Sequence, residues 1–469
     1  MGAASRGAHL VSGRRQKSQI DLAFPAGQKG EAPTPAREGT EPPTAARASE
    51  RPANTDQLME EVVERANLTA ALRRVKANKG SPGVDGMTVQ QLPGYLTEHW
   101  PALRDQVLQG TYRPQPVKRV EIAKPGGGVR KLGVPTVLDR FLQQAVLQVL
   151  QPRWDRTFSP HSYGFRPHRS AHQAVAQAQQ YIADGDGWVV DLDLEKFFDR
   201  VNQDQLMGQV AKRITDQRVL RLLRAFLTAG VLEQGLVSPT GEGTPQGGPL
   251  SPLLSNLVLD ALDRELERRG HRFVRYADDC NIYVRSQRAG QRVMASITRF
   301  ITTTLKLTVN GAKSAVAPPG ERTFLGFSFT RPPVPRRRLA PFTVTRFKAK
   351  VRDLTRRTRG VSLETMVQHL GTYLRGWSGY FGFCQTPTVL QDLDSWIRRR
   401  LRSAVWKQWK QGRTRFRELR RRGVGLALAA TTAGSARGPW RLSHSRALDV
   451  ALPKVFFATL GLPELAAGC

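Results

Sequence analysis

Two short acidic stretches carry the residue types and spacing for metal-assisted chemistry. The first is "VVDLDLEKFFD", Val189 to Asp199, with Asp191 and Asp193 two residues apart. The second is "RYADDC", Arg275 to Cys280, with Asp278 and Asp279 side by side. Adjacent carboxylates raise each other's pKa unless positive charge compensates. A divalent cation supplies that charge, and hard oxygen ligands suit Mg²⁺. Asp193 with Asp278 and Asp279 is the donor set for two Mg²⁺ ions, about 3.5–4 Å apart in sites that transfer nucleotides. In such sites one metal activates a 3′-hydroxyl and the other holds the triphosphate and the leaving pyrophosphate.

The flanking residues say what positions these groups. Val189, Val190 and Leu192 read as a strand, and alternation puts Asp191 and Asp193 on one face. A helix is expected to follow through Phe197, Val201 and Leu206. The second pair sits at the tip of a predicted hairpin between "HRFV" and "NIYV". Simpler readings exist for both stretches. Asp191 or Asp193 could cap a helix, and aspartates favour ordinary turns. Against the plain turn stand the apolar flanks Phe273, Val274, Ile282 and Val284.

Two loops could meet a nucleotide. In "AKPGGGVRKLGVP" the cations Lys124 and Arg130 flank a glycine turn, and paired cations suit a triphosphate. The alternative is a solvated basic hairpin. "TPQGGPLSP" is too rich in Gly and Pro for a regular element and lets backbone approach a ligand closely. The simpler reading is a loop that starts the next helix with Ser251 as its N-cap; that helix is expected to run through Leu254, Leu257, Ala261 and Leu266, with Arg268 and Arg269 in its last turn and Gly270 ending it.

These stretches together resemble the group II intron-encoded reverse transcriptase/maturases. "YADD" after "DLDLEKFFD" looks like a reverse transcriptase palm. "NKGSPGVDGMTV", "IAKPGGGVRKLGVPTVLDRFLQQAV", "SYGFRPHRSAHQAV", "GTPQGGPLSPLLSNLVLDALDREL" and "FLGF" are similar to that family's fingers and palm motifs. "YLRGWSGYF" and "LDSWIRRRLRSAVWKQWK" resemble its maturase thumb. The likeness covers about residues 60 to 460, and its strength lies in the order and number of the motifs.

The resemblance implies an α+β right-hand polymerase of fingers and palm, then an all-helical thumb. It implies RNA-directed DNA synthesis from dNTPs on an RNA template and DNA primer, binding of the host group II intron RNA to assist splicing, and intron mobility by cDNA synthesis primed at target DNA. It makes Asp193, Asp278 and Asp279 catalytic, and Asp193, Leu194, Asp278 and Asp279 the ligands of two Mg²⁺ ions. Lys124, Arg130, Phe198 and Gln246 become dNTP contacts, with Phe198 as the wall that rejects a ribose 2′-OH. Arg166 and Lys313 become nucleic-acid contacts. Simpler readings are core packing for Phe198 and a helix-end ion pair for Arg166. Two other functions compete: a domesticated or defence-associated reverse transcriptase, and an RNA-binding maturase without polymerase activity.

Composition agrees with a polyanion partner. The 469 residues hold 72 Lys and Arg against 39 Asp and Glu, a net charge of +33. From Arg331 onward there are 28 basic and 7 acidic residues, so 21 of those surplus charges fall in the last third. A field of that sign attracts nucleic acid. In a helix expected from Val389 to about Lys410, Leu393, Trp396, Ile397, Leu401, Ala404 and Val405 form an apolar stripe. Arg398, Arg399 and Arg402 lie off it and are expected to meet RNA.

Cys280, Cys384 and Cys469 form no CxxC pair, which argues against a zinc ribbon or disulfide framework. No apolar run is long enough to span a bilayer, so no membrane partner is expected; the resemblance implies a bacterial cytoplasmic location, in a ribonucleoprotein or with the nucleoid. Residues 1–55 read as a disordered tail, 56–335 as fingers and palm, 336–430 as the thumb, and 431–469 as a short basic extension. No endonuclease module is expected after the thumb. Oligomeric state is not legible.

Overall fold

A computed structural model describes residues 55–123, 129–233, 236–238, 242–243, 247–331 and 333–466. The expected tail lies outside these residues, apart from Thr55. So do Lys124 and Gln246, and of Arg130 only the backbone is described.

The chain begins with α1 (Leu58–Val62), α2 (Arg65–Ala77) and α3 (Leu92–Gln109). Pro93 sits in the first turn of α3, where its missing donor costs nothing. Gly110 ends that helix at φ 69°. Then come the hairpin β1 (Val117–Ala123) and β2 (Val129–Val134), the long α4 (Val137–Asp155), and α5 (Ala171–Ala183). A reciprocal Ser170–Gln173 capping box fixes the start of α5. The next elements are β3 (Trp188–Leu192), α6 (Phe197–Arg200), α7 (Gln203–Ala211), α8 (Gln217–Thr228), β4 (Val231–Glu233) and β5 (Leu236–Ser238). α9 (Ser251–Arg268), β6 (Arg272–Tyr276), β7 (Asp279–Val284), α10 (Gln287–Thr303) and β8 (Ala315–Ala317) complete the first half of the molecule. Beyond them lie β9 (Phe327–Phe329), β10 (Arg337–Leu339), α11 (Pro341–Leu354), α12 (Leu363–Phe381), α13 (Pro387–Gln408) and α14 (Gly412–Arg421). The short helices α15 (Leu426–Ala433), α16 (Pro439–Leu442), α17 (Arg446–Ala451) and α18 (Lys454–Thr459) end the chain. This is the expected α+β polymerase fold with a helical thumb.

Two sheets matter for the site. One, in order β2-β1-β4-β5, belongs to the fingers; the other, β6-β7-β3-β8, is wholly antiparallel and forms the palm. Alternation along the palm strands sorts their side chains between two hydrophobic cores. Val190, Leu192, Phe273, Cys280 and Ile282 pack toward the core that includes α9 and α10. Val189, Val274 and Tyr283 pack toward α5 and the thumb helices. Asp191 and Asp193 share the second phase, with Val189.

Local expectations met mixed fates. α9 spans Ser251–Arg268 and Gly270 (φ 70°) follows it as expected, but Ser251 is the first helical residue and not the N-cap, a position that Leu250 takes without a side-chain bond. The helix expected from Phe197 to Leu206 is instead two helices. Asn202 takes an extended conformation and caps α7 by accepting from Gln205 N, and a cap residue cannot also continue the preceding helix. Neither Asp191 nor Asp193 caps a helix. The hydroxyl of Thr55, the first described residue, pairs with that of Thr215 at 2.7 Å.

Candidate active site

The register of β3 against β7 builds the site. Asp191 faces Asn281 and Leu192 faces Cys280 across the ladder. One step further, the same register sets Asp193 opposite Asp279. Tyr276 pairs with Asp279, so the hairpin loop is Ala277 and Asp278 alone. Asp279 is therefore the first residue of β7, not part of the tip. Ala277 holds φ 56°, the left-handed region that a β-carbon disfavours.

The end of β3 is gripped by the segment before β8. Asp193 N donates to Ser314 Oγ at 3.0 Å, Asn310 N donates to Asp193 O at 2.8 Å, and Glu195 N donates to Thr308 O at 2.8 Å. Lys313 Nζ stands 3.6 Å from Asp193 Oδ2. Leu194 is buried and bridges to Val309, so only its main chain could serve a cation.

The charges are under mutual stress. Burial first, then the charges of Asp278, Asp191 and Asp193, push the Asp279 carboxyl up to about 7, against the pull of Lys313. Asp191 is also raised by burial, opposed by Arg322. Arg322 donates to Asp191 Oδ2 from Nε (2.9 Å) and Nη2 (2.6 Å). Asn281, with its amide turned to satisfy both groups, donates to Asp191 Oδ1 at 3.1 Å. Asp191 thus has resident partners. An oxygen-only donor set whose charges repel each other is chemically suited to a hard divalent cation. Among the described residues, however, no three His, Cys, Asp or Glu side chains form a ready-made metal cluster.

The other expected site residues are scattered in outcome. Phe198 is half-buried at the start of α6 and packs edge-on against Phe197, ring centroids 5.3 Å apart. Gly243 lies directly beside it: a β-carbon there would come 2.8 Å from Phe198 O. Gly247 presses on β2, where a β-carbon would meet Gly133 O at 2.8 Å. The glycine loop and the fingers hairpin therefore touch, although Lys124 and Gln246 lie outside the described residues.

Arg166 is a correction. Its side chain is 5% exposed. Its guanidinium donates to Asp155 Oδ1 and O, to Ser162 O at 3.0 Å and to Ser159 O. A fifth bond reaches Asp155 Oδ2 at 3.3 Å. All five N–H groups are engaged within the protein, so no donor is left for a phosphate. Arg402 is the second correction. It pairs with Asp449 and donates from Nε to Leu452 O at 3.0 Å, tying α13 to the C-terminal helices. Arg398 donates to Ser395 Oγ at 3.0 Å, and Arg399 lies over the Trp440 ring, 4.1 Å from its centroid.

Three residues that sequence reading passed over surround the hairpin. Arg275 and Asp263 form an ion pair with both side chains 0% exposed, and Asn256 lies beside them. The available signals were an arginine on the apolar phase of β6, and an Asn and an Asp seven residues apart within the apolar run of α9.

The same stretches that build this geometry are shared with known proteins. A family model described as reverse transcriptase (RNA-dependent DNA polymerase) matches residues 122–329, and one described as group II intron, maturase-specific domain matches residues 344–423. Protein YkfC of Escherichia coli (strain K12) is 39% identical over 219 residues, covering 45% of this chain and 58% of that protein. The group II intron-encoded protein LtrA of Lactococcus lactis subsp. cremoris is 36% identical over 195 residues, covering 41% of this chain and 32% of that protein. The match thus spans less than two thirds of either relative's length. Among solved structures, a chain of "Partial Cas6-RT-Cas1--Cas2 complex" is similar at a TM-score of 0.35 and 24% identity, over 52% of this chain and 42% of that one, too remote to bear on the fold. Residues 122–329 are thus similar to the reverse transcriptase family, and residues 344–423, which follow them, to the maturase-specific domain of group II intron proteins.

Proposed function

We propose that the chain is an RNA-directed DNA polymerase that also binds a group II intron RNA, assists its splicing and supports its mobility by cDNA synthesis primed at target DNA. The observation that carries the polymerase reading is the convergence of Asp193, Asp278 and Asp279 at one end of the palm sheet. The charges of Asp278, Asp191 and Asp193 all act on Asp279. Bound Mg²⁺ would supply activation of the primer hydroxyl and neutralisation of the triphosphate, held by Asp193, Asp278, Asp279 and the main chain of Leu194.

The chain's own residues have separable tasks. Lys313 and Arg322 hold Asp193 and Asp191 in place. Phe198 borders the position of the incoming sugar. Lys124, Arg130 and Gln246 contact the dNTP. Arg398 and Arg399, both half-buried on α13, meet RNA phosphates. RNA catalyses its own splicing, and the protein stabilises the active RNA fold by binding it preferentially. The intact aspartate set disfavours a maturase without polymerase activity. Primer extension on an RNA template with dNTPs and Mg²⁺ tests the reading. Extension by the wild type and none by Asp278→Asn/Asp279→Asn supports it. No extension by either, with tight RNA binding by both, leaves a maturase only.

A further inference from the structure

We propose that Arg275 and Asp263 are positioning residues for the catalytic hairpin, a buried guanidinium–carboxylate brace that holds the backbone immediately before Asp278. The proposal rests on the polymerase reading above.

Arg275 lies on the face of β6 opposite the aspartates, under α9. Its five N–H groups all have acceptors. Nε donates to Asp263 Oδ1 at 2.7 Å, and Nη2 donates to Asp263 Oδ2 at 2.6 Å and to Ser162 Oγ at 2.8 Å. Nη1 donates to Asn256 Oδ1 at 3.0 Å and to Ala277 O at 2.9 Å. The last bond is the telling one. Ala277 is the residue in the left-handed conformation, and its carbonyl begins the peptide that leads into Asp278. Strained backbone persists only where its surroundings over-determine it.

The surroundings do so from three directions. Asn256 and Asp263, two helical turns apart, present one face of α9 to the guanidinium. Asn256 Nδ2 also donates to Gly164 O at 2.8 Å. Gly164 in turn lies against the loop so closely that a β-carbon there would come 2.2 Å from Ala277 N. Arg275 N donates to His161 O and Tyr163 N donates to Arg275 O, which fastens the 161–164 segment to β6. A buried ion pair is a poor source of net stability, because apolar residues of similar volume often serve as well. What the planar fork gives is direction: one group reads α9, the 162–164 segment and the Ala277 carbonyl at once. Since α9 begins just past the glycine loop, the brace also links that loop's helix to the aspartates.

Single-turnover extension of a preformed RNA–DNA primer-template by the full chain tests this, because its rate constant is independent of how much protein is folded while its amplitude reports that amount. Two variants are compared with wild type: Arg275→Lys, which keeps the charge and loses the fork, and Arg275→Met/Asp263→Leu, which keeps apolar packing. Positioning predicts a rate constant at least tenfold lower in both, with the dNTP concentration for half-maximal rate within about twofold of wild type. A wild-type rate constant at any amplitude overturns the proposal, and so does loss of all amplitude in both variants, since the pair would then hold the fold instead. Failure of the wild type to extend counts against the polymerase reading. Amide hydrogen exchange reads the brace itself: faster exchange confined to Tyr276–Asp279 in the double variant supports it, and unchanged exchange there overturns it.

Discussion

Lys313 Nζ lies 3.6 Å from Asp193 Oδ2, so the protein carries its own cation beside the strand-end carboxylate. The lysine is well exposed, and such pairs contribute about 0.2–1 kcal/mol. It therefore competes weakly with Mg²⁺ for the same charge. Lys313→Met is expected to lower the Mg²⁺ concentration for half-maximal extension by roughly 1.4- to fivefold, the equivalent of that energy. A higher Mg²⁺ requirement would show that Lys313 acts on the nucleic acid instead.

Asp279 illustrates the cost of the site to the fold. Burial and the neighbouring carboxylates push its carboxyl up to about 7 from an ordinary value of 3.8. The folded state thus binds a proton that the unfolded state has released over this interval, so this group's contribution to stability falls as pH rises from about 4 to 7. Asp279→Asn removes the repulsion. Asp279 as a whole residue is nonetheless solvent-exposed, so screening weakens the effect; in EDTA at pH 8 the substitution should raise the unfolding free energy modestly, and the gain should shrink toward pH 5. A denaturant titration at the two pH values measures both.

Phe198 packs on Phe197 and leaves part of its ring uncovered. Phe198→Val shortens the proposed sugar wall. Discrimination between dNTP and rNTP is expected to fall at least tenfold, measured as the ratio of kcat/KM values. An unchanged ratio would reduce Phe198 to packing.

Arg398 and Arg402 sit four residues apart on α13 and should behave differently. Arg402→Ala breaks the link to Asp449 and Leu452 O. It should cost about 1–2 kcal/mol of stability and leave the salt dependence of RNA binding unchanged. Arg398→Ala should leave stability unchanged and reduce the slope of log affinity against log salt by about one.

Much of the fold and of the aspartate site was legible in the sequence. The limits of α9 could be read because Ser251, the apolar run and Gly270 all agree. Alternation placed Asp191 and Asp193 on one face of a strand, while the pairing of that strand with the hairpin is seen only in the ladder. Other features were hidden. The phase of "RFVRY" identifies an inward arginine only when α9 is known to cover that face. Arg402 looks like a free cation in one dimension, and its acceptors, a main-chain carbonyl and an aspartate 47 residues away, carry no sequence signal; for Arg166 the simpler reading of a helix-end ion pair is the one the structure shows, with Asp155 at the end of α4. The break at Val201 could have been read from Asn202, a good cap placed inside an otherwise helical pattern.

The central claim is that the convergent aspartates make DNA and that RNA binding is separate from them. One preparation of Asp278→Asn, compared with wild type for extension of a DNA primer on an RNA template and for affinity toward structured intron RNA, tests it most directly. The account predicts loss of extension by at least a thousandfold, with RNA affinity within about threefold of wild type. Extension close to the wild-type rate, or an equal loss of both activities, would contradict it.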